Sequence, residues 1–211
     1  MNRLGFLWVL MALLSATPTF AQSTFFDKGE SGAGFQFGLV SHEETRGMQI
    51  SITGTAGGVA DMYLGFARVE KANIFTFGWA AYLYKPHRLA DPIAIALAVD
   101  YELTHVRMTE RYQVSRADVQ LMNVGLQLYR TMYHSSGAQI EFSAGIGMYD
   151  LLSDNDTEWQ PSFKFSLPMA FGDRDGTRFV ISPTLNSIRY RGNYENTFGF
   201  AVGALFGSSY K

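Results

Sequence analysis

From residue 34 to the end, hydrophobic and polar positions alternate with a period of two. The clearest run is Ile95 to Thr104. Ile95, Leu97, Val99, Tyr101 and Leu103 form one row; Ala96, Ala98, Asp100, Glu102 and Thr104 form the other. Successive side chains of a strand point to opposite faces, so strict alternation predicts strands with one apolar face each. Ten such segments are legible: 34–40, 48–54, 61–68, 74–84, 93–106, 118–129, 140–149, 163–171, 178–186 and 197–206. Turn chemistry separates them, as in Ala56-Gly57-Gly58, Lys71-Ala72-Asn73, Ser135-Ser136-Gly137 and Gly172 to Gly176. Residues 41–47, 107–117 and 189–196 read as polar connections. The register around Leu121 and Met122 changes row, which predicts a bulge there. Pro183 weakens the ninth segment, because proline cannot donate to a ladder. No sustained helical period follows residue 22.

Two architectures take such strands. A soluble sandwich turns its apolar faces inward. A membrane barrel turns them to lipid and keeps polar and small residues in the lumen. The rows behind the apolar faces decide between them. They hold Gly65 and Ala67, Gly78 and Ala80, Ala96 and Ala98, Gly145 and Gly147, and Gly199, Ala201 and Gly203. A face in water would carry Lys, Glu, Thr and Arg instead. Several segments reach the nine or more residues that a tilted strand needs to cross a bilayer. Tyr82, Tyr84, Tyr101, Tyr129, Tyr133, Tyr149, Trp159 and Tyr190 fall near segment ends, as interfacial girdles would. Lipid offers no partner to an open sheet edge, so the sheet must close. The expected fold is all-β, a closed antiparallel transmembrane β-barrel of ten strands, with eight as the alternative. An even strand number puts both chain ends on one side.

Composition agrees. Charged residues are only 17% of the 211, against 15% aromatic, with 21 glycines; soluble domains carry about 25% charged residues. The formal net charge of -2 and the lack of a basic stripe argue against nucleic acid as a partner. Cysteine is absent, which excludes disulfides, thiolate metal sites and a lipid anchor on cysteine. His42, His87, His105 and His134 show no metal-ligand spacing. No glycine-rich nucleotide-binding stretch occurs, and no cofactor is implied. Asp154, Asp156 and Glu158 look like a fragment of a calcium loop but lack its glycine and its downstream Glu.

The start of the chain reads as an export signal. Arg3 precedes an apolar run from Leu4 to Leu14, and small residues lead to Thr19 and Ala21 at the -3 and -1 positions. The expected organisation is a signal peptide over 1–21, a lead-in over 22–33 and a barrel over 34–211.

Charges on the inward rows are the candidate site. Asp100, Glu102, Glu141, Lys164 and Arg178 are expected to face the lumen as a network of both signs; Arg130 could join it, depending on the register. Buried charges need partners, and such a network would fill a narrow barrel.

The chain resembles the small outer-membrane β-barrel proteins of Gram-negative bacteria over roughly residues 30–211. Its last segment, Thr197 to Lys211, carries the likeness: those proteins end in a strand closing on an aromatic residue that the barrel-insertion machinery reads. Here Tyr210 stands one place before the end, and Lys211 departs from the pattern. The resemblance implies residence in the cell outer membrane. It also implies outer-membrane lipids, lipopolysaccharide and that machinery as partners. Outer-membrane lipid A deacylases use a His and a Ser two places apart with a later acid; His134, Ser136 and Glu141 have that order but lack the following Asn. His134 also falls in a predicted turn on the side of the termini, away from the outer leaflet. The expected function is a non-enzymatic barrel with a narrow, charge-networked lumen and a structural or loop-binding role. A narrow channel for ions or small solutes and a deacylase-like enzyme are the alternatives.

Overall fold

A computed structural model describes residues 25–42, 45–70, 72–85, 93–110, 113–152, 159–173, 176–190 and 193–208. The expected signal peptide, the acidic run with Asp154, Asp156 and Glu158, and the terminal Tyr210 and Lys211 lie outside them. Among the described residues eleven strands form one antiparallel sheet: β1 (Ser31–His42), β2 (Thr45–Ala56), β3 (Ala60–Val69), β4 (Ala72–Tyr84), β5 (Ile93–Glu110), β6 (Gln113–His134), β7 (Ala138–Leu151), β8 (Gln160–Ser166), β9 (Met169–Gly172), β10 (Thr177–Tyr190) and β11 (Asn193–Ser208). Apart from β8 and β9, each pairs with its neighbours in sequence, and β11 pairs back onto β1 from Ser31 opposite Ser208 to Ser41 opposite Phe198. The sheet is therefore a closed barrel.

β8 and β9 are two halves of one stave. Both pair with β7 on one side and β10 on the other, so the barrel has ten staves built from eleven strands. The break falls at Leu167 and Pro168, level with Pro183 of β10. A proline has no N–H to give, so the ladder must open where two of them meet. The backbone around the break still finds partners: Leu167 N–H donates to the Pro183 carbonyl at 3.1 Å, and Glu141 N–H to the Pro168 carbonyl at 3.0 Å. The expected single segment over 163–171 is thus divided.

Strands run further than the hydrophobic pattern. Most of residues 41–47, 107–117 and 189–196, read as connections, is strand in the structure. A ladder needs only backbone groups and continues into water with polar side chains, so hydropathy marks the apolar belt and not the strand end. The expected bulge at Leu121 and Met122 is absent; pairing with β5 is continuous there, and Leu121 faces in while Met122 faces out. The shift lies instead between Thr131 and Tyr133, against β7. A second lies between Tyr82 and Tyr84.

β5 and β6 outgrow their neighbours. β4 begins opposite Val106, and β7 ends opposite Leu121. The paired residues beyond, from Arg107 opposite Arg116 to Glu110 opposite Gln113, form a two-stranded ribbon above the rim. It rises about 14 Å at ~3.4 Å per residue.

The outer face is apolar around the whole barrel. Phe35, Phe37, Ile50, Leu64, Phe77, Leu126, Ile146, Phe179 and Phe200 are all at least 40% exposed. The belt spans staves on every side, far beyond the isolated patches of soluble monomers.

Candidate functional site

The lumen is packed in three layers, and the inward row of β5 passes through all of them. Ala94, Ala96 and Ala98 lie toward the end that carries the first and last strand termini. Asp100, Glu102 and Thr104 follow, all buried, and Val106 joins the far cluster. That far layer is apolar, with Val40, Val69, Ile74, Leu121, Tyr149 and Ile188 packed together. The Tyr149 hydroxyl donates to the Arg189 carbonyl at 2.6 Å.

The middle layer is polar and centres on Asp100. Lys164 on β8 forms an ion pair with its Oδ2, and the Tyr63 hydroxyl donates to its Oδ1. Asn123 Nδ2 donates to Oδ2 at 3.2 Å, and the Ser162 hydroxyl donates to Asn123 Oδ1 at 2.7 Å. Gly78 makes room for the Tyr63 ring, which a Cβ at that position would strike. Next along β5, Glu102 accepts from the Thr104 hydroxyl at 3.0 Å through Oε1, while its Oε2 has no hydrogen-bond partner. Ser143 and Ser166 share a hydrogen bond of 2.7 Å.

The near layer closes the mouth. Phe25 and Phe26 are 1% and 2% exposed, packed on Ala170, Val180 and Leu205. Arg178 Nη1 donates to the Phe25 carbonyl at 2.6 Å, and its guanidinium lies 5.7 Å from the centre of the Phe26 ring. Gly32 and Gly207 leave the space this ring fills, since a Cβ at either would run into it. Gly29 N–H donates to the Gly57 carbonyl at 2.8 Å, tying the lead-in to the β2–β3 turn. Gly57 and Gly58 have φ of 56° and 61°; that pair of left-handed residues is the tight hairpin turn that suits strand twist. A Cβ on Gly58 would also collide with the Asp27 carbonyl.

Charge at this mouth is mixed. Asp61 accepts from the Thr55 hydroxyl at 2.7 Å, and Glu141 accepts from Gln139 Nε2 at 2.6 Å. Lys85, just past β4, stacks its ammonium 4.9 Å from the centre of the Tyr82 ring. Burial pushes Lys85 down to about 8, against the opposing pull of Asp61, Glu141, Asp27 and Glu30. Folded Lys85 therefore sheds its proton before an unfolded chain would. Its contribution to stability rises with pH from about 8 toward an ordinary lysine value of about 10.4. Labelling of Lys85 by an amine-selective reagent should have its midpoint near pH 8; a midpoint matching the other lysines would contradict this environment.

The candidates from the sequence thus separate. Asp100 and Lys164 meet, with Glu102 two residues along. Glu141 and Arg178 sit at the mouth, and Arg130 is exposed on the outer face. His134 and Ser136 are exposed at the same end, while Glu141 is buried at 1%. Both line a cleft of about 240 Å³ with Asp173 and Arg178. Ser135, rather than Ser136, makes the turn bonds to Ala138. Tyr129 and Tyr149 are fully buried and Tyr82 packs on the alanine layer, so these three fill the lumen and are not girdle residues. Tyr84, Tyr133 and Trp159 are exposed. Tyr63, Asn123, Ser162, Lys85 and the Phe25-Phe26 plug were not anticipated as site residues. Two adjacent aromatics in an otherwise polar lead-in were the available signal for the plug.

No protein-family model matches the chain, and no curated protein does. Solved barrels do resemble it. The β-domain of the Bordetella autotransporter BrkA is 9% identical with a TM-score of 0.49, covering 85% of this chain and 99% of that one. The N-terminal β-barrel domain of Pseudomonas aeruginosa OprF is 9% identical with a TM-score of 0.45, again covering 85% and 99%. The outer membrane protein OprG of the same species is 11% identical with a TM-score of 0.41, covering 86% and 96%. Identities of this size transfer no activity. The barrel itself rests on the strand pairing.

Proposed function

We propose that this protein is a non-conducting barrel of the Gram-negative outer membrane, without enzymatic activity. Its role is structural, or is carried by the β5–β6 ribbon above the rim. The membrane reading is supported by the exposed aromatic and aliphatic belt on a sheet with no open edge. Hydrocarbon tolerates both features, and water tolerates the belt poorly. The termini would then face the periplasm, and the barrel-insertion machinery, the outer-membrane lipids and lipopolysaccharide would be its partners.

One observation carries the closed state. Buried side chains among the described residues pack at successive levels of the lumen, and Phe25 and Phe26 pack at one mouth. Lys164 and Tyr63 bridge the middle through Asp100. Such packing of the described side chains supports a lumen closed to ions.

Planar-bilayer recording tests this. The refolded protein should give no discrete conductance steps. Reproducible steps, with an ion selectivity that changes on replacing Asp100 and Glu102 by their amides, would establish the channel alternative. Lipid A of unaltered mass after expression is the matching result for the absence of deacylation. A loss of acyl chains that disappears in His134→Ala would overturn it.

A further inference from the structure

The seam between β11 and β1 is built unlike the other pairings. Every other pair of neighbouring staves is consecutive in the chain, whereas β11 and β1 are joined by their ladder alone. A closed sheet can therefore part there by losing one ladder, with no short connection to keep the strands near each other. Outward pairs at the seam, such as Phe37 opposite Val202, resemble those elsewhere in the belt. The inner face differs. Each inward pair, from Gly32 opposite Gly207 to Val40 opposite Gly199, contains a glycine. Cross-strand side-chain pairs stabilise a sheet beyond its backbone bonds, and glycine supplies none. In the β5–β6 pairing, by contrast, Asp100 opposite Asn123, Glu102 opposite Leu121 and Thr104 opposite Val119 put side chains on both strands. The β1–β2 pairing is nearly as bare, but its strands are consecutive.

Residues 25–30 lie across this seam from inside. The Phe26 ring occupies the space that side chains at Gly32 and Gly207 would take, so one strand of its seat is β1 and the other is β11. On the β11 side, Phe25 and Phe26 pack with Leu205 of β11, Val180 of β10 and Ala170 of β9, and Arg178 of β10 holds the Phe25 carbonyl. On the β1 side the chain turns back on itself. Glu30 N–H donates to the Asp27 carbonyl at 3.1 Å, and Asp27 N–H donates to the Glu30 carboxylate at 2.7 Å. Gly29 N–H reaches the Gly57 carbonyl, and Gly57 N–H donates to the Ser31 hydroxyl at 3.0 Å. One short segment is thereby anchored to β9, β10 and β11 on one side, and to β1 and the β2–β3 turn on the other.

We infer that residues 25–30 are a strap that locks the closing seam of the barrel. The seat of Phe26 exists only while β11 is paired with β1, so the strap engages after closure and opposes reopening. Parting the seam then exposes two buried aromatic rings as well as breaking the ladder, which raises the cost of local opening. The strap acts on the first and last strands whether or not the lumen conducts.

Hydrogen exchange of the protein refolded in detergent tests the strap, read by mass spectrometry on peptides from β1, β11, β5 and β6. Phe26→Ala should speed exchange in β1 and β11 by about tenfold and leave β5 and β6 as in the wild type, because a seam that opens locally exposes its own ladder first. Gly207→Ala is the milder variant, since the nearest atoms to its new methyl all belong to Phe26. It should speed the same two strands in the wild-type background and add nothing to Phe26→Ala, because both act through one contact. Phe26→Leu replaces Phe26→Ala in this cycle if the alanine variant does not refold. A uniform rise over all four strands, no rise in β1 and β11, or additive effects of the two substitutions overturns the strap.

Discussion

Lys164→Met should destabilise the barrel by about 3–5 kcal/mol. Methionine nearly matches the lysine in length, so the change removes charge and leaves little cavity. Asp100 is 3% exposed and would keep its neutral donors, Tyr63 and Asn123, while losing its only directly paired cation among the described residues. A buried carboxylate without a counter-charge must remain at high cost or take up a proton. The double variant Asp100→Asn with Lys164→Met removes both charges and should recover most of the loss. Urea unfolding from detergent micelles, followed by tryptophan fluorescence, gives both numbers. A single variant within about 1 kcal/mol of wild type would mean the pair is solvated, contrary to a packed lumen.

Phe37→Arg should cost about 2–4 kcal/mol and slow insertion into bilayers. Phe37 is 49% exposed on the outer face of β1, between Ile50 of β2 and Val202 of β11. In water that change would be nearly neutral, because an exposed aromatic would be traded for a solvated cation. In hydrocarbon the guanidinium loses its hydration near the middle of the belt, where its side chain is too short to reach either surface. Met132→Arg is the control. Met132 is 62% exposed near the end of β6, two residues from Arg130, and should shift stability by less than about 1 kcal/mol. Equal effects at the two positions would mean that the belt is not in lipid.

The faces of the strands were legible because side chains alternate without exception along a regular strand. Phe35 and Phe37, Ile50 and Ile52, and Phe75 and Phe77 fall outward as the alternation predicts. The same rule sends Asp100, Glu102, Glu141, Lys164 and Arg178 inward. Tyrosine defeated this approach. Tyr82, Tyr129 and Tyr149 lie near strand ends as interfacial tyrosines do, yet they fill the lumen. A phenol with an apolar ring and one polar atom suits either place. Strand ends were equally obscure, because polar residues 107–110 and 113–118 extend a ladder that hydropathy cannot register.

What the sequence determined by itself is the period, the apolar rows, the small and charged rows behind them, and a stave number of ten. Local sterics and solvent preference act residue by residue, so they are written along the chain. What the tertiary structure alone decided is which charges meet. Asp100 and Lys164 are 64 residues apart, on β5 and β8, and they join across the lumen. Closure of β11 onto β1, the Phe25-Phe26 plug and the alignment of Arg68 with His105 through Asn73 are of the same kind. Each depends on register and curvature summed around the whole sheet, and no single stretch of sequence holds that sum.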